Sequence, residues 1–178
     1  MKIYLLRHGE TDWNREKRMA YNKNLVLNAE GIRQAKEVSI EVEKLDYDLV
    51  ITSPFIRAIQ TTEIVNKKQC PVIVEKRIEE RNVGILDGKD LVSEIDFYEV
   101  GNYYLNIQYE GAEDMQEFCV RVWNFIDDIK QKYADRKILI VTHGYVAIAI
   151  KAYMFGIPED GNLINYGTKN CTLEEFDL

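Results

Sequence analysis

Four apolar residues in a row, Ile3-Tyr4-Leu5-Leu6, narrow the choice of fold more than any other stretch of this chain. The run is too short for a helix and too uniformly apolar for a strand with one wet face. It reads as a strand buried on both sides, the kind found where helices cover a mostly parallel sheet front and back. The run stops at Arg7 and His8, and Gly9 follows. An arginine and an imidazole are poor core residues, and the carboxyl edge of such a sheet is where ligands bind. A single histidine at a strand end is ordinarily a satisfied surface residue. Here the design recurs: Lys137-Ile-Leu-Ile-Val-Thr142 leads into His143-Gly144, and these are the two histidines of the chain.

Helical and strand patterns alternate between those two points. Asn28 reads as the N-cap of a helix reaching about Leu45, with Ile32, Ala35, Val38, Val42 and Leu45 on one apolar stripe. Gly31 is expected to weaken that helix by roughly 1 kcal/mol relative to Ala. Leu49 to Ser53 is a second buried strand, and Ser53-Pro54 reads as N-cap and N1 of the next helix. Arg57 then falls in its first turn, where a cation opposes the helix dipole. The favoured reading is that Arg57 and the free backbone N–H groups hold an anion together. Pro71 to Glu75 is a third strand.

From Ile85 to Gly111 the period is lost, and tyrosines and acids accumulate, among them Tyr98, Tyr103, Tyr104 and Tyr109. This segment reads as a lid-like insertion over one end of the sheet, its surface alternatively serving as a homodimer contact. Glu113 and Asp114 open an amphipathic helix with Phe118, Val122, Phe125, Ile126, Ile129 and Tyr133 as its stripe. Ile138 to Thr142 is the fourth strand, Tyr145 to about Phe155 an apolar helix, and Cys171 to Leu178 a final edge strand. The expectation is one α/β domain over residues 1–178: a mostly parallel sheet, helices on both faces, an antiparallel edge strand.

Composition removes several function classes. No apolar run approaches the ~20 residues of a membrane span, and the chain enters a strand at once, so no leader is expected. A net charge of −7 argues against non-specific binding to nucleic acid or a membrane surface. Cys70, Cys119 and Cys171 are odd in number and lack CxxC spacing, which suits free thiols in a reducing cytoplasm. Neither histidine has a cysteine or carboxylate at a ligand spacing, so no metal and no cofactor is expected.

If Arg7, His8, Arg57 and His143 converge at one sheet edge, they form a compact set of donors for an anion with several oxygens. Phosphate is the natural candidate, because guanidinium groups donate in a planar fork that matches it. A neutral imidazole is a competent nucleophile, and nearby arginines keep it unprotonated. Phosphoryl transfer needs positioning and charge neutralisation above all.

These residues carry a resemblance. Arg7-His8-Gly9-Glu10-Thr11, followed by Asn14, resembles the signature of the histidine phosphatase superfamily, also called phosphoglycerate mutase-like. Ser53-Pro54-Phe-Ile-Arg57-Ala-Ile-Gln60-Thr61 is similar to its second block. Ile78-Glu-Glu80-Arg-Asn-Val-Gly84 is similar to the third, with Asp87-Gly88 where Glu-Gly is common, and Val141-Thr142-His143-Gly144 to the fourth. The blocks stand in family order and span nearly the whole chain.

The resemblance implies the following roles. His8 takes the phosphoryl group as a phosphohistidine. Arg7, Arg57 and His143 hold the phosphoryl oxygens, assisted by Asn14 and the backbone at Gly144. Glu80, four residues before Gly84, protonates the leaving alcohol and then deprotonates water; Glu79 is its rival. The expected substrate is a small phosphomonoester with few other charges, because Lys89 is the one cation between Ile85 and Gly111, against six acids. A phosphoglycerate mutase, or a catalytically weak relative that binds a phosphorylated ligand, is the alternative. One loop departs from the pattern: Ala20, Tyr21, Asn24 and Val26 stand where the family often has Gln-Gly, Asp and Pro.

Overall fold

The structure, a computed structural model, describes residues 1–105 and 107–178. Five strands form one sheet: β1 (Lys2–Arg7), β2 (Leu49–Thr52), β3 (Val72–Val74), β4 (Lys137–Thr142) and β5 (Leu173–Asp177). Their order is β3-β2-β4-β1-β5, parallel throughout except for β5, which runs antiparallel along β1. The helices are α1 (Asp12–Arg15), α2 (Ala29–Val42), α3 (Ile56–Val65), α4 (Phe97–Val100), α5 (Met115–Lys132) and α6 (Gly144–Phe155). None of the described helices is long and apolar enough to cross a membrane.

The two faces of the sheet divide the apolar strand residues by their period of two. Ile3, Leu5, Ile51, Ile138 and Ile140 pack with α5 and α6; Tyr4, Leu6, Val50, Leu139 and Val141 pack with α2 and α3. Both layers bury these side chains almost completely, so deleting one to alanine costs about 2–5 kcal/mol. Helix α5 begins where Asp114 accepts the Gln116 and Glu117 amides at 2.8 and 3.0 Å, and its stripe from Phe118 to Ile129 is buried. Helix α6 lies inside the protein, and its buried Lys151 pairs with Glu174 of β5 at 2.5 Å.

Several expected boundaries move, each for a physical reason. Helix α2 stops at Val42 rather than near Leu45, and Ile32 is 38% exposed, so the stripe starts at Ala35. Gly31 is a requirement rather than a weakness: a Cβ there would sit 2.1 Å from the Glu10 carbonyl oxygen. Ser53-Pro54 does not start α3. The N-cap is Phe55, with no side-chain cap; Ser53 lies one residue too early in the chain, its Oγ accepting the Phe55 amide at 3.3 Å and meeting His143 Nε2 at 2.7 Å. Strand β3 is confined to Val72–Val74 and is exposed at the sheet edge. The segment 85–111 contains no strand among its described residues; Asn106 lies outside them.

Candidate active site

The register of two neighbouring strands builds the centre of the site. Arg7 of β1 lies opposite Thr142 of β4, so the next residues, His8 and His143, emerge side by side. Their rings are 5.2 Å apart. On the other side of β4, Thr52 lies opposite Val141, which brings Ser53 to His143. Both histidines are buried.

His8 is held by hydrogen bonds at both ring nitrogens. Nδ1 lies 2.7 Å from the Gly9 carbonyl oxygen, an acceptor only, so the proton sits on Nδ1 and the lone pair on Nε2. Arg57 Nε donates to that Nε2 at 3.1 Å. Burial, then the charges of Arg57 and Arg7, hold the His8 pKa well below the ordinary imidazole value. The same burial lowers His143. Its Nε2 shares a hydrogen bond with Ser53 Oγ at 2.7 Å, and that oxygen also accepts the Phe55 amide at 3.3 Å. Among the described residues, His143 Nδ1 and Arg7 Nε are buried without a partner.

Arg57 is wholly buried and anchored by main-chain oxygens: Nη1 donates to Asn22 at 2.8 Å and Nη2 to Ala20 at 3.0 Å. Arg7 donates to Thr168 and lies against Gly144, where an added Cβ would come 3.4 Å from its Cζ. Asn14 closes a capping box with Thr11, accepting its amide at 3.1 Å and its hydroxyl at 3.0 Å.

Glu80 reaches the site through a short 3₁₀ turn, Lys76–Ile78, whose Ile78 carbonyl accepts from the Thr142 hydroxyl at 2.9 Å. Its carboxylate sits on the amino end of α6, accepting the Gly144 and Tyr145 amides at 3.1 Å each, and the Arg81 amide at 3.1 Å. Burial raises its pKa against the opposing pull of Arg57, Arg7 and these amides. The Gly144 N–H, expected to face a phosphoryl group, is therefore committed to Glu80.

A cleft of about 220 Å³ opens here, with Arg7, His8, Asn14, Glu80 and Gly144 on its wall. Arg57 and His143 are not on that wall; they touch His8, Arg57 at its Nε2 and His143 ring to ring. The rest of the lining is mainly apolar, including Met19, Val83, Leu91, Phe97, Ile148 and Ile164, with Arg18, Tyr21, Arg81 and Tyr145 as its polar members. The acids of the 85–111 segment are absent from the lining, so the expected electrostatic effect of that segment is corrected: it contributes Leu91 and Phe97, two apolar surfaces. Tyr21 packs edge-on against Phe55, which packs against His143.

Some supporting residues gave no sequence signal. Asn170 donates to the His8 carbonyl at 2.9 Å and to Asn14 Oδ1 at 3.3 Å, from a loop with no recognisable pattern. Thr61 accepts the Gly9 amide at 3.1 Å; its place four residues after Arg57 could have suggested it. Among the described residues, no group of three or more histidine, cysteine or carboxylate side chains could hold a metal ion.

Known proteins share this architecture. An uncharacterised phosphatase, PhoE, of Bacillus subtilis (strain 168) is 33% identical over 155 residues, 86% of this chain and 77% of its own. A probable phosphoglycerate mutase, GpmB, of Escherichia coli is 27% identical over 183 residues, covering 99% of this chain and 85% of its own. The solved structure of Bacillus stearothermophilus YhfR superposes with a TM-score of 0.87 at 25% identity, covering 99% of this chain and 91% of that one. The family model of the histidine phosphatase superfamily (branch 1) matches residues 3–178. Because that match takes in every segment that builds the cleft, the chain belongs to the histidine phosphatase superfamily.

Proposed function

We propose that this protein is a phosphatase that hydrolyses small phosphomonoesters through a phosphohistidine on His8, with Glu80 as general acid and base. One observation carries the reading: a buried neutral imidazole, its tautomer set by Gly9, shares a cleft wall with a carboxyl group whose pKa burial has raised.

The Nε2 lone pair of His8 attacks phosphorus, and the P–O bond to the leaving alcohol breaks. The Glu80 proton passes to the alkoxide. Water then attacks phosphorus, the P–N bond breaks, and the water proton returns to the Glu80 carboxylate. A phosphoryl group on Nε2 must take the place that Arg57 Nε–H now points into, so its oxygens meet that guanidinium at once. Arg7 Nε, without a partner among the described residues, is a further donor for them, and His143 serves as one with its ring proton on Nδ1. Asn14 contributes its Nδ2, since its oxygen is already engaged.

The apolar lining favours a leaving group with few charges beyond the phosphate, and the 85–111 segment acts as its lid through Leu91 and Phe97. Arg18 and Arg81 on the same wall support the second reading, a mutase that holds another anionic group. A panel of phosphomonoesters separates the two. Phosphate release by the wild type, lost in His8→Ala, is expected. Isomerisation of phosphoglycerate without phosphate release would replace hydrolysis by the mutase reading.

A further inference from the structure

Asp87 is not on the cleft wall, yet a continuous series of hydrogen bonds joins it to His8. Its Oδ1 accepts the main-chain N–H of Tyr21 at 2.8 Å and of Asn22 at 3.2 Å. The Ala20 carbonyl belongs to the same peptide unit as the Tyr21 amide, and the chain has no cis peptide. In a trans peptide the C=O and N–H point in opposite directions. The plane is thus gripped at both ends, by Asp87 at its N–H and by Arg57 Nη2 at its C=O, 3.0 Å away. Asn22 supplies the second carbonyl, accepting from Arg57 Nη1 at 2.8 Å. A guanidinium is planar, so fixing both terminal nitrogens fixes the direction of Nε–H. That Nε–H meets His8 Nε2 at 3.1 Å.

The support behind Asp87 is itself anchored. The Asp87 amide closes a second 3₁₀ turn, Gly84–Leu86, on the Gly84 carbonyl at 3.0 Å. Gly88 N–H donates to Met19 at 2.9 Å, and Met19 N–H returns a bond to Lys89 at 2.9 Å. The carboxylate therefore sits on a backbone tied directly to the loop it holds.

We infer that Asp87 is a positioning residue: its carboxylate orients the 20–22 main chain so that Arg57 is aimed at His8 Nε2. The arrangement also commits the Tyr21 and Asn22 amides to Asp87, so side chains supply the donors that a phosphoryl group meets from this direction.

With two histidines in the chain, imidazole NMR of the unliganded protein reports His8 directly. Asp87→Ala is expected to move the His8 Nε2 resonance in the same direction as Arg57→Ala, and to add nothing in the Arg57→Ala background. Asp87→Asn keeps an oxygen acceptor and recovers most of the wild-type signal. On p-nitrophenyl phosphate, Asp87→Ala lowers kcat by on the order of 100-fold with little change in KM, the scale of a small misplacement at a reacting centre, and Asp87→Asn recovers most of the loss. This kinetic arm rests on His8 being the nucleophile; the NMR arm does not. A wild type that turns over no phosphoester therefore defeats the proposed function, while the spectra still decide this inference. An unmoved His8 Nε2 in folded Asp87→Ala, or an effect fully additive with Arg57→Ala, overturns it. Should Asp87→Ala not fold, Asp87→Asn decides: upfield shifts confined to the Tyr21 and Asn22 amide protons are expected, and unmoved amides overturn the inference.

Discussion

The floor and the rim of the cleft are built on opposite terms. On the floor, His8, Arg57, Glu80 and His143 are buried polar groups, held by hydrogen bonds to main chain, to one another or, for His143, to the Ser53 hydroxyl. On the rim, Leu91, Phe97 and Ile164 are half-buried apolar side chains from irregular segments or short helices. Burying polar groups costs free energy even when they are bonded, and here it depresses two imidazoles and raises a carboxyl. The floor therefore trades stability for reactivity. The rim buries apolar surface and can vary without touching the chemistry. In the proposed reaction the chemistry belongs to the sheet edge, and the choice of alcohol to what is draped across it.

Glu80→Gln is the sharpest way to break the contrast. On the proposed mechanism it removes the general acid, so kcat/KM is expected to fall by about 10²–10⁴. It also sets a side-chain NH2 against a main-chain N–H that a carboxylate oxygen now accepts, so the melting temperature falls. Thermal melts beside kinetics check both; a loss of activity below tenfold, or an unchanged melting temperature, would erase the distinction.

Acid should weaken the floor next. Both histidines have folded pKa values below the ordinary ~6.5, so the unfolded chain binds more protons once the pH drops beneath that value. Stability is full above pH 7 and falls below ~6.5, by up to ~1.4 kcal/mol per pH unit for each histidine. Glu80 has the opposite sign: with its folded pKa raised above 4.5, it adds stability as pH falls through its own range. Urea unfolding of Glu80→Gln at pH 7.5 and 5.5 isolates the histidines, and equal stability at the two values would contradict their buried neutral state.

The smallest effect belongs to the rim. Phe97→Ala should raise KM for an aryl phosphate by roughly 3–10-fold, the worth of partly burying a side chain, and leave kcat and stability nearly unchanged. A large fall in kcat would mean that the rim takes part in the chemistry.

The same contrast explains what could be read from sequence. Buried parallel strands demand unbroken apolar runs, so β1, β2 and β4 stand out, and the residues following β1 and β4 are the floor itself. Ser53 has the pattern of a helix cap, and its hydroxyl does accept the Phe55 amide, but the helix starts at Ile56 and the same oxygen meets His143, a partner that is distant along the chain. Gly31 looked like a helix defect because its reason, the Glu10 carbonyl, is distant along the chain. The charges of the segment 85–111 dominate its sequence, yet none of its acids is on the cleft wall, while Leu91 and Phe97, which are, carry no periodic signal. Rim positions depend on tertiary contacts that no local pattern records.

Phosphorus on His8 is the quantity to measure. Wild type mixed with a labelled aryl phosphate and quenched within one turnover should carry label on His8 Nε2. His8→Ala should carry none, and Glu80→Gln should hold the label longer because water is no longer activated. Steady phosphate release from wild type with His8 unlabelled at every quench time would contradict the covalent route and the assignment of the floor built on it.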